Sequence, residues 1–354
     1  MFYIRADANK EIATGHVMRC MSIADEMKER GCDVCFITAD HNADELIHSR
    51  GFANKCLDSE WNNLENELET GKIVSILNNT DNLEGIIVDT YYVTEKYLEI
   101  LHKICKTIYI DDIYALKEYP VDFLINYNVY ASDIDYKSRC LPDTKLLLGV
   151  RYVPLRKEFQ NIKPVFRKNV KNIFISTGGA DKFNMTGELL EEIFEKTNIE
   201  KYKIFNEINF HVICGGMNVN LTKLLEISDK HKNVIINKNV SNMAEIMLEC
   251  EIAVSACGST MYELCACGLP IITYSFADNQ LPGIKKFDKM GMIVNCGDIR
   301  KKDLYIIDEV IKQLQHMCYN NVYRKKYVFR VKELVDGKGV ANILNELINR
   351  GEKR

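Results

Sequence analysis

Short apolar runs alternate with longer amphipathic segments along most of the chain. The apolar runs predict buried strands at residues 2–4, 34–38, 86–88, 107–110 and 123–125, and again at 172–176, 210–214, 234–236, 252–255 and 270–274. Apolar positions with helical spacing lie between them, at residues 16–30, 44–51, 60–77, 95–105, 184–196, 221–230, 242–249, 259–267 and 280–290. Because strands that alternate with helices form parallel sheets, the pattern predicts an α/β protein.

A polar, basic stretch with Pro154 and Pro164 divides this series of strands and helices in two. We therefore predict an N-terminal lobe at residues 1–155, a linker at 156–170 and a C-terminal lobe at 171–354 that ends in a helical tail. Each lobe is expected to be doubly wound and of Rossmann type. Since such sheets bind ligands outside the carboxyl ends of their strands, we expect the functional loops to line a cleft between the lobes.

The composition is that of an ordinary soluble globular protein, with 354 residues of which 47% are hydrophobic and 27% charged. A formal net charge of −4 gives no electrostatic reason to expect nucleic acid or a membrane surface as a partner. No apolar run approaches the ~18 residues that a membrane span needs. We expect a cytoplasmic monomer with no nucleic acid partner and no membrane insertion.

The thirteen cysteines lie mostly in apolar or helical stretches, where cysteine behaves as a small hydrophobic residue. The first residues reach charge at once and lack a signal-peptide pattern, which favours a reducing compartment without disulfides. Cys32-x-x-Cys35 has no second pair to complete a metal site, and Cys265-x-Cys267 lies on a predicted helix. We therefore expect neither a metal nor a cofactor.

The first strand leads through Asp7 to Gly15 and His16 at the start of a predicted helix. This loop matches neither the dinucleotide motif G-x-G-x-x-G nor the phosphate-binding motif G-x-x-x-x-G-K-[ST]. An imidazole at a helix N-terminus is biased toward its neutral form, because the helix dipole opposes a positive charge. His16 is therefore a candidate general base, with Asp7 near enough in the loop to orient it. The alternative is a histidine that caps its helix or forms a local hydrogen bond.

In the second half, Gly258, Ser259 and Thr260 lie between a strand and a predicted helix. The free N–H groups and positive dipole end of a helix start suit a phosphate group. Glu263, in the first turns, is placed to accept hydrogen bonds from ribose hydroxyls. Together they predict a nucleotide-binding loop. The alternative is an ordinary turn with Ser/Thr capping of the helix.

Three further loops of the second half are weaker candidates. Residues 178–181 follow a strand, and Asp181 there would either cap the next helix or bind a ligand hydroxyl. Val240 follows a later strand, where its backbone could contact a base. The side chains of residues 278–280 could bind sugar hydroxyls, unless Asp278 serves only as the N-cap of the following helix.

Several short motifs occur in an order that resembles one enzyme family. They are Arg5-Ala-Asp7, Thr14-Gly-His-Val-Met-Arg19, Ile87-Val-Asp89, Ile110-Asp-Asp112, Asn126-x-Asn128, Leu148-Gly-Val-Arg-Tyr-Val-Pro-Leu-Arg156, Thr177-Gly-Gly-Ala-Asp181 and the stretch from Ser255 to Gln280. Over nearly the whole chain, they resemble the UDP-2,4-diacetamido-2,4,6-trideoxy-β-L-altropyranose hydrolase (PseG) family of pseudaminic acid biosynthesis. The resemblance implies a GT-B-like fold, similar to that of the glycosyltransferase MurG.

The resemblance also implies a reaction, in which water cleaves the anomeric C–O bond of a UDP-sugar with inversion and without a metal. His16 matches the catalytic histidine that deprotonates this water, and Asp7 matches an acidic or polar position beside it. The implied substrate-binding residues are Gly15, Arg19, Arg156, Gly179, Asp181, Val240, Gly258, Ser259, Thr260, Tyr262, Glu263, Asp278, Asn279 and Gln280. The alternative is a MurG-like glycosyltransferase that uses a UDP-sugar donor in surface or spore-coat polysaccharide synthesis.

Overall fold

The computed structural model describes residues 1–178, 180–216, 218–238, 240–301 and 305–348. Two compact units divide the chain. The first comprises Met1–Arg156 together with the chain from Lys338, and the second comprises Lys157–Gly337. None of the helices in the described ranges combines the length and the apolarity that crossing a bilayer demands.

A parallel sheet forms the centre of the first unit. Its strands are β1 (Phe2–Ala6), β2 (Val34–Thr38), β3 (Ala53–Cys56), β4 (Gly85–Asp89), β5 (Thr107–Ile110), β6 (Phe123–Asn126) and β7 (Lys145–Leu148). They lie in the order β3-β2-β1-β4-β5-β6-β7. The helices are α1 (Gly15–Glu29), α2 (Asp44–Ser49), α3 (Glu67–Asn78) and α4 (Glu95–His102).

The central strands explain why this sheet is doubly wound. Every residue of β1 and of β4 is buried, as expected for parallel strands that are covered on both faces. The strand order reverses between β1 and β4, since the chain first moves outward through β2 and β3 and then returns to β4. This reversal is the position at which open α/β sheets bind ligands. The loops that leave β1 and β4 therefore lie where a site is expected.

The second unit repeats the architecture. Its strands are β8 (Asn172–Ser176), β9 (Asn209–Cys214), β10 (Val234–Lys238), β11 (Ile252–Ala256), β12 (Ile271–Ser275) and β13 (Val294–Asp298), in the order β10-β9-β8-β11-β12-β13. Its helices are α5 (Met185–Lys196), α6 (Leu221–Lys230), α7 (Met243–Glu249), α8 (Thr260–Cys267), α9 (Leu281–Lys289), α10 (Tyr305–Tyr319) and α11 (Asn321–Leu334). Strand order reverses here between β8 and β11.

The two doubly wound parallel sheets confirm the predicted α/β class. The apolar pattern missed three strands, β3, β7 and β13, which lie at the edges of the sheets. An edge strand has a neighbour on one side only, so it can be short and partly exposed. In β3 each residue is exposed or half-buried, and β13 contains Gly297 at a φ of +112°. Neither segment shows the continuous apolar run of a central strand.

The last described helix, α12 (Gly339–Leu347), belongs to the first unit, whereas it was predicted as the tail of the C-terminal lobe. Its apolar face is buried there, and Arg30 of α1 donates a 2.8 Å hydrogen bond to the side chain of Asn345. The expected linker also differs, because the chain already belongs to the second unit from Lys157 onward. Phe159 is fully buried in that unit.

The packing of α12 leads to a prediction about Gly339, its first residue. A Cβ atom at this position would lie 2.0 Å from the carbonyl oxygen of Val153. Gly339→Ala must therefore push α12 away from the segment that it contacts. We expect the free energy of unfolding to fall by about 1–3 kcal/mol, the usual range for overpacking. Chemical denaturation followed by circular dichroism measures the change.

Gly71 in α3 provides the matched control, because a Cβ atom there meets no other atom within 4 Å. Gly71→Ala should stabilise the protein by about 0.5–1 kcal/mol, since alanine has the higher helix propensity. Equal destabilisation by both substitutions would contradict the close approach of α12 to Val153.

Candidate active site

A cluster of polar side chains lies at the carboxyl ends of neighbouring strands in the first unit. Asp89 is the last residue of β4, Asp112 follows β5, and Tyr127 follows β6. Helix α1 contributes His16 and Arg19 to the same place. We refer to these five residues as the Arg19 cluster. Its position agrees with the rule that parallel sheets bind ligands beyond the carboxyl ends of their strands.

His16 forms a short hydrogen bond with Asp89. The distance from Nδ1 to Oδ1 is 2.6 Å, and the imidazole is 5% exposed. Nδ1 also lies 3.1 Å from Nη2 of Arg19, but the shorter bond is to a carboxylate, which can only accept. The ring proton is therefore assigned to Nδ1, which leaves a lone pair on Nε2. None of the hydrogen bonds in the described part of the chain uses Nε2. The rings of His16 and Tyr91 form a T-shaped contact, with 4.5 Å between ring centroids.

Arg19 connects the carboxyl ends of three strands. Its Nε donates to Asp89 Oδ2 at 2.5 Å, and its Nη2 donates to the other oxygen of that carboxylate. Its Nη1 donates to Asp112 Oδ2 at 2.6 Å and to the hydroxyl of Tyr127 at 2.5 Å. The guanidinium is thus engaged inside the protein, although Arg19 was predicted to bind substrate.

Burial and charge act in opposite directions on these groups. Desolvation opposes the charge of Asp89, but the charge of Arg19 and the hydrogen bonds from Arg19 and His16 outweigh it and hold the pKa of this carboxyl well below its usual range. Burial likewise lowers the pKa of Arg19, and the charges of Asp112 and Asp89 raise it well above its ordinary value. Asp89 is therefore ionised, and Arg19 protonated, at any pH near neutrality.

Asp7 does not contact His16, contrary to the expectation that it would orient the ring. Its Oδ2 accepts a hydrogen bond from Arg5 at 2.5 Å, and its Oδ1 accepts one from the backbone of Ala39 at 2.7 Å. Arg5 is fully buried and also donates to Glu69 at 2.8 Å. The hydrogen bonds of Asp7 thus belong to a separate buried network, and Asp89 takes the position beside His16.

The loop before α8 in the second unit is open to solvent. Gly258 and Ser259 are exposed, while Thr260 and Glu263 are half-buried in the first turn of α8. A Cβ atom on Gly258 would meet nothing within 4 Å, so a ligand can approach its backbone closely. Tyr262, by contrast, is buried. It is 4% exposed, and its ring lies 5.7 Å from that of Phe287.

Two of the other predicted loops use their side chains locally. Asp181 accepts hydrogen bonds from the backbone of Met185 at 2.9 Å and of Thr186 at 3.2 Å, and so caps the start of α5. Gln280 is buried and accepts a 2.9 Å hydrogen bond from the backbone of Phe276. These contacts fix the shape of the two loops. They leave little of either side chain available to a ligand.

The remaining predicted residues lie apart from these contacts. Asp278 forms a 2.8 Å ion pair with Arg300 and does not act as an N-cap. Asn279 beside it is exposed. Gly15 is exposed at the first position of α1, whereas Arg156 and Val240 are half-buried. Gly179 lies outside the described residues.

Sequence reasoning assigned no role to Asp89, Tyr91, Asp112 or Tyr127. Asp89 and Asp112 were part of the motifs that carried the family resemblance, and both directly follow buried apolar runs. A polar residue at the end of a central strand is the signal that would have marked them. Their contact with Arg19 depends on the strand order, which no local pattern reveals.

The fold defined by the two units is that of GT-B glycosyltransferases. MurG from Acinetobacter baumannii has a similar structure, with a TM-score of 0.63 at 14% sequence identity, and the alignment covers 98% of each chain. This likeness confirms the predicted GT-B-like fold.

In sequence, the chain is similar to the UDP-2,4-diacetamido-2,4,6-trideoxy-β-L-altropyranose hydrolase of Campylobacter jejuni. The two are 24% identical over 256 residues, which are 69% of this chain and 80% of that protein. The spore coat polysaccharide biosynthesis protein SpsG of Bacillus subtilis is 22% identical over 348 residues, 96% of this chain and 95% of its own. These similarities confirm the predicted resemblance.

A third relative is an uncharacterized protein of Methanocaldococcus jannaschii, which is 27% identical over 285 residues, or 76% of this chain. The chain spans about half, 54%, of the length of that protein. No family model matches the chain.

The electrostatics of the Arg19 cluster predict the effect of Asp89→Asn. The variant leaves the guanidinium of Arg19, which is only 12% exposed, with one carboxylate in place of two, and we expect the free energy of unfolding at neutral pH to fall by about 3–5 kcal/mol. A carboxyl whose folded-state pKa is depressed stabilises the fold above its unfolded pKa of about 4, and this contribution is lost as the pH falls. The difference between wild type and variant should therefore narrow in acid.

Chemical denaturation at neutral and acidic pH measures both effects. Asp143→Asn serves as a control because Asp143 is exposed, and such a change should stay within about 0.5 kcal/mol. A difference between wild type and Asp89→Asn that does not vary with pH would show that the charge of Asp89 is not what stabilises the cluster.

Proposed function

We propose that this protein hydrolyses UDP-2,4-diacetamido-2,4,6-trideoxy-β-L-altropyranose at its anomeric carbon, releasing UDP and the free sugar. The observation that carries the proposal is the 2.6 Å hydrogen bond between His16 Nδ1 and Asp89. This bond presents an imidazole with a basic Nε2 at the carboxyl end of a parallel sheet. Such a nitrogen is suited to remove a proton from water.

In the proposed reaction, the oxygen of a water molecule attacks the anomeric carbon as the bond from that carbon to the diphosphate oxygen breaks. The bonding electrons leave with UDP, and the water proton passes to His16 Nε2. The imidazolium formed in this step is stabilised by the carboxylate of Asp89. Since the diphosphate is already a good leaving group, the protein mainly needs a positioned water, a base and donors for the developing charge.

Arg19 acts in this proposal as a positioning residue. By holding both oxygens of Asp89, it keeps that carboxylate ionised and aimed at Nδ1 of His16. The second carboxylate, Asp112, in turn balances the guanidinium charge. The geometry resembles the general arrangement in which an acidic group orients a histidine and stabilises its protonated form.

The proposal assigns the UDP group to the loop before α8 in the second unit. The exposed backbone of Gly258 and Ser259 is placed at the positive end of the helix dipole, where anions are favoured. Glu263, one turn further, is the proposed acceptor for the ribose hydroxyls. Support also comes from the similarity to the Campylobacter relative, which is named as a hydrolase of this same sugar nucleotide.

His16→Ala should abolish turnover and spare UDP binding. General-base assistance is worth about 10²–10⁴-fold, so the rate of UDP release should fall by at least about 100-fold. The measurement follows free UDP after purified protein is mixed with the UDP-linked diacetamido sugar in the absence of any acceptor. His102→Ala is the matched control, because His102 also pairs with a carboxylate, Asp122, at 3.1 Å on the surface of the same unit. Release at the wild-type rate by His16→Ala would exclude the proposed base.

Glu263→Ala should weaken UDP binding. A lost hydrogen bond to a charged group costs about 1.5–3 kcal/mol, which corresponds to a Kd about 10- to 100-fold higher. Calorimetry with UDP measures it. Glu245→Ala provides the control, because Glu245 occupies the first turn of α7 and is exposed. If UDP binds Glu263→Ala and wild type equally well, the ribose contact lies elsewhere.

A glycosyltransferase with the same donor is the second candidate. It is favoured by the fold shared with MurG and by the polysaccharide-synthesis name of the Bacillus relative, which aligns over nearly its whole length. In that case, a sugar hydroxyl replaces water at His16. UDP release that begins only when a carbohydrate acceptor is added would favour this candidate over hydrolysis.

A further inference from the structure

We propose that His41, Cys56 and Asp58 in the first unit bind a divalent metal ion of the zinc class. Their donor atoms all lie within 4.8 Å of one another, the one such group of three or more found among the described residues. His41 lies in the loop after β2, Cys56 ends β3, and Asp58 follows it. The site shares no residue with the Arg19 cluster, so it stands independently of the proposed function.

Two of the three distances between donor atoms match tetrahedral coordination. His41 Nε2 lies 3.5 Å from Asp58 Oδ1, and Cys56 Sγ lies 3.5 Å from the same oxygen. With zinc–ligand bonds of about 2.0–2.3 Å, the edges of a tetrahedron are roughly 3.3–3.6 Å long. Two of the three edges thus already have the length of tetrahedral coordination, and the donor atoms of all three residues lie within 4.8 Å of one another.

A neighbouring carboxylate already holds the histidine in the orientation that a metal requires. Asp44 Oδ2 lies 2.6 Å from His41 Nδ1, which leaves Nε2 directed at Asp58. Metal-binding histidines characteristically donate their second ring N–H to such a carboxylate. Asp44 is itself fixed, because its Oδ1 accepts a 2.6 Å hydrogen bond from Asn54 of β3. This support would be unnecessary for an isolated surface histidine.

The donor set selects the kind of metal. A thiolate, an imidazole and a carboxylate suit zinc or cobalt, whereas magnesium and calcium prefer oxygen ligands alone. On binding, Cys56 releases its thiol proton to solvent, and the two anionic ligands then balance the charge of the ion. The side chains of His41 and Asp58 are 70% and 68% exposed, so water can complete the fourth position. The other carboxylate oxygen of Asp58, Oδ2, lies 3.5 Å from Lys72 Nζ.

A metal here would tie the loop after β2 to the end of β3. Cys56 Sγ already contacts the carbonyl oxygen of Ala39 at 3.6 Å, and the backbone N–H of Ala39 is the donor to Asp7. No metal was expected from the sequence, because Cys56 belongs to neither of its closely spaced cysteine pairs, Cys32-x-x-Cys35 and Cys265-x-Cys267.

Cobalt(II) titration of the full chain tests the proposal. The protein is kept reduced, stripped of metal with a chelator and freed of the chelator before cobalt is added. We expect saturation at about one equivalent, with the intense absorption of tetrahedral cobalt and a thiolate-to-cobalt charge-transfer band. Zinc added afterwards should displace the cobalt and so abolish both absorption signals. Zinc added to the metal-free wild type should raise its Tm.

Variants assign the signal to its ligands. Cys56→Ser should lose the charge-transfer band and the zinc-dependent rise in Tm, and His41→Ala and Asp58→Asn should bind cobalt at least about 10-fold more weakly. Asp44→Asn should weaken binding about 10- to 100-fold without loss of the band, as expected for a residue that orients a ligand. All four side chains are at least partly exposed, so we expect each variant to fold, and circular dichroism is the check.

Cys105→Ser is the matched control. Cys105 is half-buried in the same unit, near Asp122, whose carboxylate pairs with His102. The residue types are therefore the same, but these three do not form a group within 4.8 Å. This variant should retain the full cobalt signal. A wild type without a charge-transfer band, a band that survives in Cys56→Ser, or one that is lost in Cys105→Ser would overturn the proposal.

Discussion

The structure of the candidate site depends on the ion pair between Arg19 and Asp89. A largely buried guanidinium is costly unless its charge and its N–H groups have partners, and Arg19, whose side chain is 12% exposed, finds its partners at the ends of β4, β5 and β6. The helix that carries Arg19 is thereby held in one position against the sheet. His16, one turn earlier on that helix, then falls beside Asp89. The same interaction that satisfies a buried charge therefore sets the direction of the proposed base.

Two buried charge networks share the end of the first sheet without sharing a residue. One contains Arg19 and Asp89, and the other contains Arg5, Asp7 and Glu69. They separate because β1 lies between β2 and β4, and the strand order reverses there. The beginning of the loop after β1 turns toward β2, where Asp7 meets the backbone that follows that strand. The end of the loop reaches β4. Residues that are close in sequence therefore need not be in contact where the strand order of a sheet reverses.

The second unit shows a different use of loop residues. Asp181 and Gln280 hold their own loops in shape through hydrogen bonds to nearby backbone groups, and Tyr262 packs on Phe287. What the loop before α8 leaves open is mostly backbone. Small residues and a helix start suit a charged diphosphate, since N–H groups need no side chain to present them. For this reason, the proposed function assigns the side-chain chemistry to the first unit and the recognition of the diphosphate by backbone groups to the second.

Local patterns were enough to predict the alternation of strands and helices, because a central parallel strand is buried on both faces and reads as an apolar run. They also marked His16 and the Gly258 loop, whose chemistry is visible in a few adjacent residues. Edge strands such as β3 were not predicted, since they are short and half-exposed. Helix α12 was assigned to the wrong unit because an amphipathic pattern shows that one face of a helix is buried but not which segment it packs against. The choice of Asp89 over Asp7 was made only by tertiary structure. Strand order decides which carboxylate a side chain meets, and that order arises from packing between segments far apart in the chain.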